Sequence, residues 1–281
     1  MKRIKLFLGI AIVALVLLII WIAWGNKALE LNSYSITSEN LPKSFNGFRI
    51  AQVSDLHNAE LGKDNEKLIT MLTDAAPNMI VITGDLIDSQ NTNIDTALAF
   101  AEKAVQIAPC YYVTGNHEAS VNEYVTLKEG LTELGVTVLE DGKTEIVLSG
   151  ESITLVGVAD PAFQTADHAT VMSSKLAELT SDEDGFILLL SHRPELFETY
   201  VENKVDLVLS GHAHGGQFRL PFVGGLIAPN QGLFPQYDSG IYTEGNTNMV
   251  VSRGIGNSII PFRVNNRPEV ILIELTSAVD R

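Results

Sequence analysis

Five apolar segments of this chain are each followed directly by polar residues of the types that bind metal ions. Carboxylate oxygens, amide oxygens and imidazole nitrogens are all ligands of divalent metals. Because ligands gather at the carboxyl ends of strands in α/β proteins, the five segments predict one shared site. They are Val53-Ser54-Asp55-Leu56-His57, Ile82-Thr83-Gly84-Asp85, Val113-Thr114-Gly115-Asn116-His117, Leu190-Ser191-His192 and Leu209-Ser210-Gly211-His212-Ala213-His214.

The spacing within these segments favours convergence on one point. In Asp55-x-His57 and His212-x-His214 the two side chains lie on the same side of an extended backbone, because side chains alternate along a strand. The glycines Gly84, Gly115 and Gly211 let the backbone turn tightly beside the site.

The distribution of histidines points the same way. A lone buried histidine is usually an ordinary core residue, but five of the six histidines fall in these strand-end segments. Chance placement does not readily explain that pattern, so we interpret them as parts of a metal site. The sixth, His168, lies in a predicted loop and is assigned no role.

The order of these motifs resembles the calcineurin-like metallophosphoesterase superfamily over about residues 48–217. The motifs are Asp-x-His, Gly-Asp-x-x-Asp, Gly-Asn-His-Glu, His and Gly-His-x-His. The extension Gly-His-x-His-Gly-Gly-Gln and the late segments Ser252–Gly256 and Arg267–Glu269 resemble its membrane-anchored bacterial branch. The resemblance implies an α/β fold, specifically a four-layer α/β/β/α sandwich. It also implies a hydrolase of phosphoric esters with two divalent metal ions, which are Mn, Fe or Zn in that family.

The resemblance also implies a role for each site residue. One metal ion would be bound by Asp55, His57 and His214, and the other by Asn116, His192 and His212, with Asp85 bridging the two. His117 would be the catalytic group that donates a proton to the leaving oxygen, and Asp88 would orient it. For Asp88, a surface or helix-capping role is the alternative, and Glu118 is expected to be a solvated or structural residue.

Two arginines, Arg193 and Arg253, are candidates for binding a phosphate oxygen that is not transferred. Arg263 and Arg267 could do the same. The alternative for all four is an ion pair on the surface or at a sheet edge. The apolar, turn-rich loop from Gly224 to Phe234 either faces lipid or packs into the core.

The segment from Leu6 to Trp24 has 19 residues and no charge, which matches a helix that spans a bilayer. Lys2, Arg3 and Lys5 precede it, so the positive-inside rule places the catalytic domain outside the cytoplasm. A cleaved signal peptide is the alternative. We therefore expect three regions: residues 1–25 as a cytoplasmic N-terminus and transmembrane anchor, 26–47 as a short arm or first strand, and 48–281 as the catalytic domain.

Alternating strand and helix patterns predict helix-covered sheets, and consecutive strands near residues 136–158 and after 217 predict a second, more antiparallel sheet. The single cysteine, Cys110, excludes an intramolecular disulfide and a thiolate metal cluster. The net charge of −15 disfavours binding to nucleic acid.

The sequence thus predicts a phosphodiesterase that hydrolyses a membrane-associated or cell-envelope phosphate ester with a metal-activated hydroxide. Its partners would be the lipid bilayer, through the N-terminal helix, and the phosphoester substrate. A phosphomonoesterase or phosphoprotein phosphatase on the same metal core is the alternative. A non-catalytic envelope-binding module is more remote, because the ligand pattern is intact.

Overall fold

The computed structural model describes residues 2–257 and 260–278, and it places the strands in two six-stranded sheets and two short hairpins. The helices are α1 (Lys2–Gly25), α2 (Glu66–Ala75), α3 (Ile94–Ala104), α4 (Tyr124–Glu133), α5 (His168–Thr180) and α6 (Phe197–Glu202). The strands are β1 (Glu30–Ser38), β2 (Arg49–Val53), β3 (Met79–Thr83), β4 (Cys110–Val113), β5 (Thr137–Val138), β6 (Gly142–Leu148), β7 (Glu151–Gly157), β8 (Ile187–Leu190), β9 (Leu207–Ser210), β10 (Arg219–Leu220), β11 (Gly224–Gly225), β12 (Ile227–Ala228), β13 (Gly232–Leu233), β14 (Gly240–Glu244), β15 (Thr247–Val251) and β16 (Glu269–Ser277).

The first sheet has the strand order β1-β16-β2-β3-β4-β5. Strands β2 to β5 are parallel, while β16 runs antiparallel to β2 and parallel to β1. Every residue of β3 is buried, as expected for a parallel strand covered on both faces. Its side chains alternate: Ile80 and Ile82 pack with the helices, and Met79 and Val81 pack toward the second sheet.

The second sheet has the strand order β14-β15-β9-β8-β7-β6. Its centre is parallel, and only the edge pairs β14–β15 and β6–β7 are antiparallel. The second sheet has two antiparallel pairs and the first has one, so the second sheet is the more antiparallel of the two, as predicted, although its centre is parallel. The centre is parallel because helices α5 and α6 connect β7 to β8 and β8 to β9, and such crossovers join parallel strands.

Three apolar clusters separate the layers. The first lies between the first sheet and α2, α3 and α4, and it includes Leu72 and Phe100. The second lies between the two sheets and includes Val81 and Leu188. The third lies between the second sheet and α5 and α6 and includes Met172. The order helix, sheet, sheet, helix confirms the predicted four-layer α/β/β/α sandwich.

His168 is the first residue of α5, so its predicted position in a loop is wrong. Asp167 caps this helix, since its Oδ2 accepts a hydrogen bond of 2.9 Å from the backbone N–H of Thr170. Aspartate is a preferred residue at this position, and it was the signal in the sequence for a helix start.

Helix α1 is largely exposed, and within Arg3–Gly25 an 18-residue window has a mean hydropathy of 3.2 and no buried residue. Its length and composition fit a membrane span. Asn26 joins its end to the folded domain: Nδ2 donates to the carbonyl of Arg263 at 2.8 Å and Oδ1 accepts from its N–H at 2.7 Å. Strand β1 begins at Glu30 and pairs with β16, so the predicted arm carries a strand of the first sheet.

The apolar loop from Gly224 to Phe234 forms strands β11 to β13 in the two short hairpins. Ala228 is buried, but Leu233 is 67% exposed and Phe234 is 60% exposed. The preceding Phe222 is fully exposed. The loop is therefore largely surface and not core.

Candidate metal centre

The predicted ligands all lie where strands of the two sheets end. Asp55 and His57 follow β2, Asp85 follows β3, and Asn116 follows β4 in the first sheet. In the second sheet His192 follows β8, and His212 and His214 follow β9. Because both sheets are parallel at these strands, their carboxyl ends meet and bring residues far apart in the sequence together. Six of the seven residues are buried, and Asn116 is half-buried.

The first group of ligands consists of Asp55, His57, Asp85 and His214, whose ligand atoms all lie within 4.8 Å of one another. The Nε2 atoms of His57 and His214 are 3.2 Å apart. The Nε2 atom of His214 is 3.4 Å from Asp55 Oδ1, and that of His57 is 3.6 Å from Asp85 Oδ2. Two imidazoles and two carboxylates therefore point at one small volume, as a divalent cation requires.

The second group consists of Asp85, His192 and His212, again within 4.8 Å of one another. His192 Nε2 lies 3.1 Å from Asp85 Oδ2. The Nδ1 atom of His192 lies 2.7 Å from the backbone carbonyl of Thr83, so Nδ1 carries the proton and Nε2 is left as a ligand. Asp85 belongs to both groups, which is the position a bridging carboxylate needs.

Unpaired buried atoms show that the site suits a cation. Within the described residues, Asn116 Oδ1 is buried and has no hydrogen-bond partner, and His192 Nε2 has Asp85 as its nearest polar group. A buried polar atom without a partner is costly, and a bound metal ion would satisfy Asn116 Oδ1. In the tautomer in which His212 donates from Nε2 to Asn230 Oδ1, 2.9 Å away, its Nδ1 is the nitrogen available to an ion.

Burial and charge set the protonation of the metal-free site. Burial lowers the pKa of His57 to about 4 and holds the pKa values of His212 and His214 well below their usual range, so all three are neutral. Burial also opposes a charge on His192, but the carboxylate of Asp85 outweighs it and raises the pKa to about 10. Asp85 and His192 therefore form an ion pair when no metal is bound.

Five of the seven predicted ligands have a backbone φ in the left-handed region. This conformation costs roughly 1–2 kcal/mol for a residue with a side chain. The surrounding packing must supply that energy, and such strain collects at functional sites. The five φ values are +49° for Asp55, +45° for His57, +51° for Asp85, +65° for His212 and +48° for His214.

The glycines at the strand ends permit a close approach of backbone segments. A Cβ atom at Gly211 would lie 1.9 Å from Ser54 Oγ, and one at Gly115 would lie 2.2 Å from Asp85 Oδ1. Any larger residue there would displace a candidate ligand. Gly84 also has a φ of +89°, which favours glycine for conformational reasons.

His117 is 7% exposed and lies edge-on to His57, with ring centroids 4.4 Å apart. Its Nδ1 accepts a hydrogen bond of 2.9 Å from the backbone N–H of Ser89. In its neutral form the imidazole therefore carries its proton on Nε2, which is the form that can donate to a leaving oxygen.

Asp88 lies between the rings of His117 and His57. Its Oδ2 atom is 3.8 Å from His117 Nδ1 and 3.6 Å from His57 Nδ1. Ser89, which the sequence did not single out, makes the direct contact.

Glu118 is fully buried, so its expected alternative as a solvated residue is wrong and its structural role holds. Its carboxylate accepts four backbone hydrogen bonds that join the loops after β3 and β4. The donors are Asp85 at 2.9 Å, Leu86 at 2.8 Å, Ile87 at 3.2 Å and Gly115 at 2.7 Å. Its only signal in the sequence was its place in Gly-Asn-His-Glu.

Both arginines predicted to bind phosphate are held by carboxylates. Arg193 is buried and pairs with Asp160 through Nε at 2.5 Å and Nη2 at 2.8 Å, while its Nη1 lies 3.0 Å from His212 Nε2. The Nη2 atom of Arg253 pairs with Glu30 and, at 2.7 Å, with Glu269. A substrate phosphate would have to compete with these carboxylates.

Arg263 was also a candidate for binding a phosphate oxygen, and the structure places it against a candidate metal ligand. It is fully buried, and burial lowers its pKa to about 10. Its Nη1 donates to the carbonyl of Arg253 at 2.6 Å, and its Nη2 lies 3.4 Å from His214 Nδ1. Arg263 therefore lies in contact with the candidate ligand His214 without being one of the ligands itself.

A family model described as calcineurin-like phosphoesterase matches residues 48–216. The chain is 31% identical over 256 residues to the uncharacterized metallophosphoesterase YkuE of Bacillus subtilis, covering 89% of this chain and 86% of that protein. It is 28% identical to the phosphodiesterase YaeI of Escherichia coli over 81% of this chain and 82% of that one.

Two further comparisons concern the helix and the fold. A zebrafish (Danio rerio) transmembrane protein with a metallophosphoesterase domain is 30% identical over 86% of this chain and 56% of its own length. The crystal structure of TT1561 of Thermus thermophilus superimposes with a TM-score of 0.52 at 16% identity, covering 74% of this chain and 89% of that one. With its intact ligand pattern and its matched length, the chain belongs to the calcineurin-like metallophosphoesterase family.

Proposed function

We propose that this metal-dependent phosphoric ester hydrolase is a phosphodiesterase with a centre of two divalent ions. The observation that carries the proposal is the sharing of Asp85 between two ligand groups with His117 beside them. Asp55, His57 and His214 would hold one ion, and Asn116, His192 and His212 the other. When bound, two such ions lower the pKa of a water and neutralise the charge that develops on the phosphate.

His117 supplies the proton for the leaving oxygen in this proposal. The N–H of Ser89 occupies its Nδ1, so the proton on Nε2 is held in place for donation. Asp88 fixes the loop that carries Ser89, since its Oδ1 accepts from the backbone N–H of Gln90 at 2.8 Å and of Asn91 at 3.1 Å. Asp88 therefore orients His117 through the loop as well as by its charge.

The charges around the centre favour a diester over a monoester. A phosphomonoester carries a second negative charge that a diester lacks, and an additional free cation would help to bind it. Arg193, the candidate arginine beside His212, is held by Asp160 instead. The name of the E. coli relative, a phosphodiesterase, agrees with this choice.

Two features support a substrate at the membrane. Helix α1 has the length and composition of an anchor and is followed within a few residues by β1. The exposed apolar loop lies next to the centre, because Leu226 N–H donates to the carbonyl of Gly216, two residues after His214, at 3.0 Å. Lys2, Arg3 and Lys5 favour an extracytoplasmic domain, so a phospholipid or a cell-envelope phosphodiester is the substrate class we propose.

The first test compares a diester with a monoester. The full-length protein in detergent, stripped of metal and reloaded with Mn²⁺, should hydrolyse bis(p-nitrophenyl) phosphate with a kcat/KM at least about tenfold above that for p-nitrophenyl phosphate. The reverse preference would establish the monoesterase alternative. The variant His168→Ala is the matched control, because His168 lies on α5 outside the ligand groups and should retain wild-type rates.

The second test concerns the membrane. The same preparation should release a headgroup or a phosphate-linked fragment from phospholipid or envelope polymer. Cleavage of soluble nucleotides alone, with every lipid and polymer left intact, would contradict the membrane substrate while leaving the diesterase activity in place.

A further inference from the structure

A cavity of about 250 Å³ lies at the junction of α1 and the folded domain. Trp21 and Trp24 of α1 form one wall. Arg253, Arg263 and Arg267 lie on the other side. None of the proposed catalytic groups lines it, so it is separate from the metal centre.

The cavity has an excess of positive charge in a strongly acidic chain. Its three arginines face two carboxylates, because Glu30 bonds Arg253 and Arg267, and Glu269 bonds Arg253. Only Nη2 of Arg253 is used in these pairs. Within residues 2–257 and 260–278 its Nε and Nη1 have no hydrogen-bond partner, although the side chain is only 14% exposed. These donors are available to an anion in the cavity.

The guanidinium of Arg267 adds a second group at the rim. It lies over the ring of Trp24, 5.2 Å from the centroid, and is 35% exposed. Its Nε donates to the carbonyl of Ala28 at 2.8 Å, its Nη2 donates to that of Leu29 at 3.3 Å, and its Nη1 pairs with Glu30 at 2.8 Å. These contacts fix it against the end of α1 and leave the second hydrogens of Nη1 and Nη2 for an anion. The planar guanidinium groups of Arg253 and Arg267 have the geometry that suits phosphate oxygens.

The position of the cavity identifies the source of the phosphate. Trp21 and Trp24 are 43% and 55% exposed at the end of an apolar helix. Tryptophans at the ends of membrane spans lie at the level of the lipid headgroups. Basic pockets between transmembrane helices bind the head groups of anionic lipids, and a basic cavity beside a single span offers the same chemistry.

We infer that this cavity binds the phosphodiester headgroup of an anionic membrane phospholipid, with Arg253 and Arg267 as its phosphate ligands. This site goes beyond the proposed hydrolysis, since the bound lipid is a ligand of the anchor junction and is not cleaved there. Arg263 connects the two sites, because it lines the cavity while its Nη2 lies 3.4 Å from Nδ1 of His214. The side chain of Arg263 thus lies between a lipid bound in the cavity and the candidate metal ligand His214.

Tryptophan fluorescence reports on this cavity, because Trp21 and Trp24 are the only two tryptophans of the chain. The full-length protein in dodecyl maltoside is titrated with dioctanoyl phosphatidylglycerol, and tryptophan fluorescence is measured. We expect a saturable change that dioctanoyl phosphatidylcholine produces only at concentrations about tenfold higher. Equal responses to the two lipids would overturn the inference, because the site would then ignore headgroup charge. A response to inorganic phosphate at the same concentrations would overturn the lipid source.

Substitutions in the cavity test whether the fluorescence change comes from lipid bound there. Arg253→Gln and Arg267→Gln should each weaken the phosphatidylglycerol titration, and Arg49→Gln, the same change on β2 outside the cavity, should not. Gly25 lines the cavity, and a Cβ atom there meets no heavy atom within 4 Å, so Gly25→Leu adds an apolar side chain at the cavity wall without a clash and without altering a charge. It should abolish the response while thermal unfolding and diester hydrolysis stay at wild-type values. A wild-type titration in Gly25→Leu would refute the cavity as the site. Because fluorescence requires no turnover, the outcome is independent of the proposed phosphodiesterase activity.

Discussion

The Nε2 atom of His192 lies 3.1 Å from Oδ2 of Asp85, and this contact joins the two sheets of the fold at the candidate metal centre. Asp85 follows β3 of the first sheet, and His192 follows β8 of the second. The carbonyl of Thr83 fixes the His192 ring through Nδ1 at 2.7 Å. The position of a shared ligand is thus set by the packing of one sheet on the other.

Replacing Asp85 should remove both metal binding and activity. In Asp85→Asn the bridging carboxylate becomes a neutral amide, so we expect metal content per chain to fall and kcat to drop by at least about 100-fold. Elemental analysis of dialysed protein and a diesterase assay measure the two effects. His168→Ala is the control. Full metal content together with full activity would contradict the bridging role.

His117→Ala should separate chemistry from metal binding. If His117 protonates the leaving oxygen, metal content stays at the wild-type level while kcat falls by about 10²–10⁴. The loss should be smaller for a diester with an acidic leaving group, such as p-nitrophenol, than for one with an alkyl alcohol. An equal loss for both leaving groups would show that His117 does not act as the acid.

Glu118→Gln should destabilise the loops at the centre. The amide offers one acceptor oxygen where the carboxylate offers two, so some of the four backbone N–H groups are left buried without a partner. We expect a loss of about 2–3 kcal/mol in unfolding free energy and a fall in Tm of roughly 5–10 °C. Thermal denaturation of the metal-free protein measures it. The exposed Glu133→Gln on α4 should change Tm little, and a similar Tm for both variants would contradict the role.

Metal binding should release a proton from His192. Asp85 raises the pKa of this histidine to about 10 against the opposing effect of burial, so the metal-free imidazole is charged at neutral pH. A metal ion binds only the neutral ring, so about one proton per chain leaves His192 at pH 7–8, and the apparent metal affinity rises with pH. His57, whose pKa burial lowers to about 4, is already neutral and contributes none.

Calorimetric titration of Mn²⁺ into metal-free protein measures this release, because the apparent binding enthalpy then depends on the ionisation enthalpy of the buffer. Two buffers that differ in that enthalpy give the number of protons. An enthalpy that is the same in both buffers would show that His192 is neutral before the metal binds.

The fold class and the candidate ligands could be predicted from the sequence, because both depend on local patterns. Apolar runs of strand length, each ending in Asp, Asn or His, mark the carboxyl ends of β2, β3, β4, β8 and β9, and alternation with helices predicts sheets covered by helices. The assignment of His168 to a loop was wrong, because the capping residue Asp167 begins helix α5 directly before it.

Only the tertiary structure decided the contacts between residues distant in the chain. Nothing near Glu118 in the sequence shows that its carboxylate collects backbone donors from a loop about 30 positions earlier. Arg253 was a phosphate candidate by residue type, but its partner Glu30 is 223 positions away, and the pairing follows from β1 joining the first sheet beside β16. Residue types and spacing therefore determined which atoms can bind a metal, while sheet packing determined which charges remain free to meet a substrate or a lipid.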